Sequence, residues 1–138
     1  KDDTMEFHAG RLIDHIHLRV ADLEKSRAFY RAALAALGRE ITHESERHFS
    51  ADELFVDAAD GYVTRVHLAF QTDGHEMVKR FYDAALAAGG TDNGAPGERP
   101  YHPGYYACFV FDPDGNNIEA VWHGPEERSA TSVVRRAV

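Results

Sequence analysis

The chain has 138 residues, enough for one compact domain or two small half-domains sharing a core, and its 43% hydrophobic content excludes disorder throughout. The formal net charge of −8 excludes the basic footprint that sequence-independent nucleic-acid binding requires. One cysteine, Cys108, excludes an intrachain disulfide, and there is neither a membrane-length apolar run nor a signal-peptide pattern, so a reducing cytoplasm is the expected compartment.

In chain order, Lys1–Gly10 reads as an irregular lead-in with an exposed His8. Leu12–Val20 predicts a strand, because Ile16, Leu18 and Val20 alternate with His15, His17 and Arg19. Leu23–Leu37 predicts a helix capped by Asp22, with Ala28, Phe29, Ala32, Ala33 and Ala36 as its apolar stripe and Gly38 beyond its end. Three short strands are expected at Glu40–Glu44, His48–Ser50 and Glu53–Ala59, followed by a turn at Asp60-Gly61. Tyr62–Gln71 predicts another strand and Glu76–Ala88 another helix, ending at Gly89-Gly90. Gly89–Gly104 reads as a long loop, which in a compact domain points to function, with Tyr101 and His102 as its chemistry-bearing residues. Tyr105–Phe111 is a strand, and it makes Cys108 a buried structural thiol. Asp112–Asn116 is a turn, Asn117–His123 the last core strand, and Gly124–Val138 a tail or an arm against a partner subunit.

A repeat organises these elements. His15–Gly38 and His67–Gly90 align without a gap at a constant offset of 52 residues. His15 matches His67, Glu24 matches Glu76, Phe29-Tyr30 matches Phe81-Tyr82, and the Ala-Ala-Leu-Ala-Ala run recurs. Two copies of one supersecondary unit are therefore expected, in residues 11–61 and 62–124, with residues 1–10 and 125–138 outside them. Tyr30 and Tyr82 read as core, and His43 and His75 as surface.

Three residues stand out chemically. His15 and His67 head the matched strands on the face opposite the apolar row, and Glu119 shares that face if Ile118, Ala120 and Trp122 turn toward the helices. On one curved sheet they would converge. Two imidazoles and a carboxylate with open positions suit Fe(II), and with added ligands Mn, Co, Ni or Zn. Such an ion would polarise adjacent substrate oxygens. Taken singly, a strand histidine is more often a hydrogen-bonded surface group than a ligand; the repetition raises the trio above that. Arg19 can fork onto an anionic substrate or pair within the sheet. Asn93–Gly97 lacks the lysine and following helix of a phosphate loop.

Asp14–Tyr30 (DHIHLRVADLEKSRAFY), Arg65–Phe70 (RVHLAF) and Phe111–Glu119 (FDPDGNNIE) resemble the vicinal oxygen chelate superfamily, which holds glyoxalase I, type I extradiol dioxygenases, fosfomycin-resistance enzymes and bleomycin-resistance proteins. The resemblance spans nearly all of Leu12–His123. It implies an α+β fold: two βαβββ modules forming a curved mixed sheet around a central cleft, with helices on the convex side. It implies His15, His67 and Glu119 as ligands of a divalent ion (Fe, Mn, Ni, Co or Zn), and a small-molecule substrate with vicinal oxygens. Relatives of this kind are often homodimers.

The chain departs from glyoxalase I at one place. A fourth ligand is expected from the last strand of the first module, and Phe55 stands there, with Glu53 or Asp57 as substitutes. His17, Arg19, Phe55, Tyr101, His102 and Tyr105 are the candidate substrate contacts. Isomerase or lyase, dioxygenase and transferase chemistry stay open. So does a metal-free drug-binding module of the bleomycin-resistance type, whose acidic cleft would suit a cationic ligand.

Overall fold

The computed structural model describes residues 6–136. Period-two patterning makes β1 (Ile16–Val20) one-sided, with Leu18 and Val20 fully buried. The strand is shorter than expected because Leu12 and Ile13 find no core and stay exposed. Helix α1 (Leu23–Ala36) starts where the Asp22 side chain accepts the Lys25 N–H at 3.1 Å. It ends where Gly38 adopts φ +75° and the N–H groups of Gly38 and Arg39 return to Ala35 and Leu34 at 3.0 and 2.9 Å. Its buried face is Leu23, Ser26, Phe29, Tyr30, Ala33 and Leu34. Ala28, expected in the apolar stripe, is exposed, because the large Phe-Tyr pair sets the rotation of the helix.

The strands β2 (His43–Glu44), β3 (His48–Ala51) and β4 (Leu54–Ala58) complete the first module, with β4 parallel to β1 and antiparallel to β3. The second module repeats the plan: β5 (His67–Gln71), α2 (His75–Ala87), β6 (Thr91–Glu98), β7 (Tyr106–Phe111) and β8 (Asn117–Trp122). The sheets have orders β1-β4-β3-β2 and β5-β8-β7-β6, the same permutation twice. The repeat predicts the doubled strand-helix unit, and the complete duplicated βαβββ plan is the one that the family resemblance implies. The sheets are hydrogen-bonded separately, four strands each, rather than as one continuous surface.

One expectation is corrected. Thr91–Glu98 lies within the segment read as a loop, yet it forms β6. It is an edge strand paired only with β7, with register shifts between Asp92 and Gly94 and between Gly94 and Gly97. An edge tolerates Gly and Pro96 because nothing needs their outer hydrogen bonds, so composition hides the strand.

The modules share one core that includes Phe29, Tyr30, Phe49, Phe81, Val110 and Ile118. Gly90 shows how tightly they meet: a Cβ there would lie 2.5 Å from Val110 Cγ1 and 2.8 Å from both Ala85 O and Phe29 Cε1. Thr64, in the link before β5, exchanges hydrogen bonds with the Arg19 backbone at 2.8 and 2.9 Å. Cys108 is fully buried, its S–H reaches Val78 O at 3.6 Å, and burial pushes its thiol up to about 12. β5 is less covered than its counterpart: Phe70, equivalent to the fully buried Leu18, is only half-buried, and His67, Ala69 and Gln71 are exposed. After Gly124 the described residues form neither helix nor strand, and they touch their own chain through Arg128–Gln71 (3.4 Å) and Arg135–Asp14 (3.1 Å). Among the described residues no helix is long and apolar enough to cross a membrane.

Candidate metal and ligand site

Glu119 sits in the middle of β8 with 1% of its surface exposed. Ile118 and Ala120 beside it are fully buried in the core, and alternation turns Glu119 to the other face. A buried carboxylate must be paired, and both of its oxygens are. His67 Nε2 lies 2.7 Å from Oε1, and the Tyr105 hydroxyl donates to Oε2. The register explains the geometry: β5 runs parallel to β8 with Ala69 opposite Glu119, so His67 stands one pleat away on the same face. Burial, and then the hydrogen bond to Glu119, raise the Tyr105 phenol well above its ordinary range, so it stays a donor. Phe109 faces Glu119 from β7, with the His67 ring 6.0 Å away. The Arg99 guanidinium lies 5.2 Å from the Phe109 ring and donates to Gly97 O and Ala95 O at 2.9 and 2.8 Å.

His15 stands apart from this pair. It precedes β1, and its side chain is 67% exposed. Its Nδ1 lies 2.8 Å from Asp14 Oδ1, and Asp14 Oδ2 receives Arg135 at 3.1 Å. The hydrogen bond from His15, followed by Arg135, lowers the Asp14 carboxyl below its usual range. A carboxylate only accepts, so Nδ1 carries the hydrogen and Nε2 of the neutral ring keeps its lone pair. Metal-binding histidines are commonly oriented this way. Among the described residues, however, no group of three or more His, Cys, Asp or Glu side chains is gathered to hold a metal. One chain thus brings together two of the three expected ligands.

The other candidates divide between two places. On the first module, His17 Nε2 binds Asp57 Oδ1 at 2.7 Å. Phe55, opposite His17 in register, receives the His17 ring edge-on at 5.0 Å, while His48 stacks on it at 5.3 Å and 20°. Phe55 offers no donor, and Asp57 is held by His17. The Arg19 guanidinium lies 5.7 Å from the Tyr62 ring. On the second module, Tyr101 packs edge-on against Tyr105 at 4.8 Å, and His102 Nε2 lies 2.9 Å from His123 Nδ1. Sequence reading missed His123, Phe109, Arg99 and Asp14 as site residues. His123 directly follows the Glu119 strand, and Asp14 adjoins a candidate ligand, so both signals were present. An open depression of about 610 Å³ lies elsewhere, at the N-terminal end of α1 and the Glu46–Arg47 turn; of the candidates only Asp57 lines it.

This fold and face can be compared with known proteins. The family model of the Glyoxalase/Bleomycin resistance protein/Dioxygenase superfamily matches residues 12–120. The chain belongs to that superfamily. Among solved structures it is similar to a glyoxalase/bleomycin resistance protein from Albidiferax ferrireducens T118, at 28% identity and TM-score 0.70 over 80% of this chain and 98% of that one. A glyoxalase-related enzyme from Fulvimarina pelagi (20% identity, TM-score 0.64, 80% of this chain and 87% of that one) shares the fold. So does a lactoylglutathione lyase from Agrobacterium tumefaciens (21% identity, TM-score 0.60, 83% and 95%). No curated protein matches the chain. The superfamily match runs through both βαβββ modules and takes in the Phe111–Glu119 stretch that leads into β8.

Proposed function

We propose that this superfamily member binds a divalent metal ion between two copies of the chain, His67 and Glu119 coming from one subunit and His15 from the other. The observation that carries the reading is the His67–Glu119 pair, a half-exposed imidazole hydrogen-bonded at 2.7 Å to a buried carboxylate. The imidazole–imidazole–carboxylate set fits Fe(II), Mn(II), Ni(II), Co(II) or Zn(II) chemically, but among the described residues one chain gathers only the pair. His15, oriented by Asp14 and turned outward, is the donor that a second copy would bring. The sparsely covered β5 edge is where that copy has room to approach. A bound ion would polarise neighbouring oxygens of a small substrate with vicinal oxygens. Tyr105 would keep Glu119 aimed toward His67, and Phe109 would shield the carboxylate from water.

Metal content after reloading tests the proposal. Wild type should hold about one equivalent per subunit, while His15→Ala and His67→Ala should each hold less than about a tenth. Unfolding and refolding the two variants together should restore about a quarter of an equivalent per subunit, since half of statistically mixed dimers regain one intact site. No restoration would refute the shared site. Full loading of either variant alone would refute the ligand set.

A second reading is favoured by Phe55, an aromatic ring held between His17 and His48 where a fourth ligand would stand. In it the protein binds a cationic small molecule without metal, drawn by the chain's net charge of −8. Its melting temperature should then rise with a cationic drug in the presence of a chelator. A flat response across a panel of such drugs would remove this reading.

A further inference from the structure

We infer that His102 and His123 form a proton-sharing clasp that positions Tyr105 on Glu119; the inference rests on the proposed site only for what Glu119 does there. Nε2 of His102 lies 2.9 Å from Nδ1 of His123. The ring planes are 19° apart and the centroids 5.1 Å apart. That separation is too long for face-to-face contact and matches two rings joined nitrogen to nitrogen.

The tautomers follow from the neighbours. Nδ1 of His102 lies 2.9 Å from Pro103 O. A carbonyl only accepts, so this nitrogen carries a hydrogen. Neutral His102 then has its lone pair on Nε2, and His123 donates into it from Nδ1. One added proton goes to the outer nitrogen of His123 and strengthens the bond by charge. A second added proton puts hydrogen on both facing nitrogens, and the bond is lost.

The clasp ties the loop between β6 and β7 to the end of β8. Within that loop the Arg99 N–H donates to Tyr105 O at 2.9 Å, and the Tyr105 N–H to His102 O at 3.2 Å. Gly104, at φ +92°, lets the loop lie flat on β8: a Cβ there would come within 3.2 Å of His123 O. The Tyr105 ring stands edge-on to both imidazoles, 5.4 Å from His102 and 5.0 Å from His123. The titratable and charged groups facing the clasp are the phenols of Tyr101 and Tyr105, with Arg99 behind Tyr105; Glu119 is reached only through the Tyr105 hydroxyl. Opening the clasp would free the loop that sets this hydroxyl on the carboxylate.

The test uses the intact, metal-free protein, so a failed metal titration leaves it untouched. Imidazole nitrogen spectra should show coupling across the hydrogen bond between His102 and His123 at neutral pH. Amide exchange should show protection at Arg99 and Tyr105 that survives the first added proton and falls only once both rings carry charge. His102→Ala should lower that protection about five- to tenfold at neutral pH. His102→Gln, whose side-chain carbonyl can accept in place of Nε2, should keep protection within about twofold of wild type and should lose its acid dependence. Unchanged protection in His102→Ala overturns the clasp. So does equal loss in both variants, or an acid response in His102→Gln like that of wild type.

Discussion

Tyr30 of α1 donates its hydroxyl to Asp112 Oδ2 at 2.5 Å, across the boundary between the two modules. Asp112 also receives the backbone N–H groups of Asp114 and Asn116 and the side-chain amide of Asn116, each at 2.9 Å. The Asp-Pro-Asp-Gly-Asn turn is therefore also the joint of the molecule. Tyr30→Phe leaves a buried carboxylate oxygen short of a donor and should cost about 1–3 kcal/mol by denaturant unfolding.

Tyr30 also sets an alkaline limit. Burial, and then Asp112, hold its phenol well above the ordinary range. The folded state keeps this proton while the unfolded state releases it near pH ~10, so the unfolded state binds fewer protons above that pH. The Tyr30 contribution to stability should be intact below about pH 10 and decline as pH rises past it, adding to the loss from Tyr105 and to the loss from Cys108, which sets in at lower pH. Tyr30→Phe should flatten that decline, read as unfolding midpoints across alkaline buffers.

Two glycines at matching repeat positions should fail for different reasons. Gly38→Ala places a side chain at φ +75° in open space and should cost about 1 kcal/mol of backbone strain. Gly90→Ala meets Val110, Ala85 and Phe29 at 2.5–2.8 Å and should cost more, about 1–3 kcal/mol, with α1 and α2 displaced. Parallel thermal and denaturant melts rank the two.

Arg27 clamps the β2–β3 turn to α1. It donates to Glu24, Glu44, Ser45 O and His48 O at 2.8–3.3 Å, with its side chain only 11% exposed and its guanidinium 5.6 Å from the Phe49 ring. An ammonium cannot serve so many acceptors in one plane. Arg27→Lys should therefore recover less than half of the roughly 1–3 kcal/mol lost in Arg27→Ala.

Cys108 should be inert in the native state. Burial holds its thiol at about 12, outweighing the opposing pull of a backbone hydrogen bond and of Arg99. A thiol-reactive dye should label the folded protein at least about a hundredfold more slowly than the denatured one at pH 8, because labelling requires opening of the core. Comparable rates would place Cys108 at the surface.

Much was legible in the sequence because it rests on short-range patterns. Alternation at Ile16–Val20, the Asp22 cap, Gly38 and the 52-residue offset are local, and the structure has a strand, a capped helix and a repeated strand order at those places. The Glu119 face followed from counting by twos along β8. β6 was illegible because an edge strand needs no apolar alternation, and Gly94, Pro96 and Gly97 read as loop.

By itself, then, the sequence determined a strand-helix unit used twice, with two imidazoles and a carboxylate on the faces away from the core, since a strand's sidedness is a property of a few neighbouring residues. How the copies dock was decided only in three dimensions. The Phe29–Gly90 approach and the Tyr30–Asp112 hydrogen bond join residues that are 61 and 82 positions apart, and the pairing of β5 with β8 inside the second module is what sets His67 beside Glu119. Such contacts depend on the shapes and partners of whole surfaces, which no local periodicity encodes.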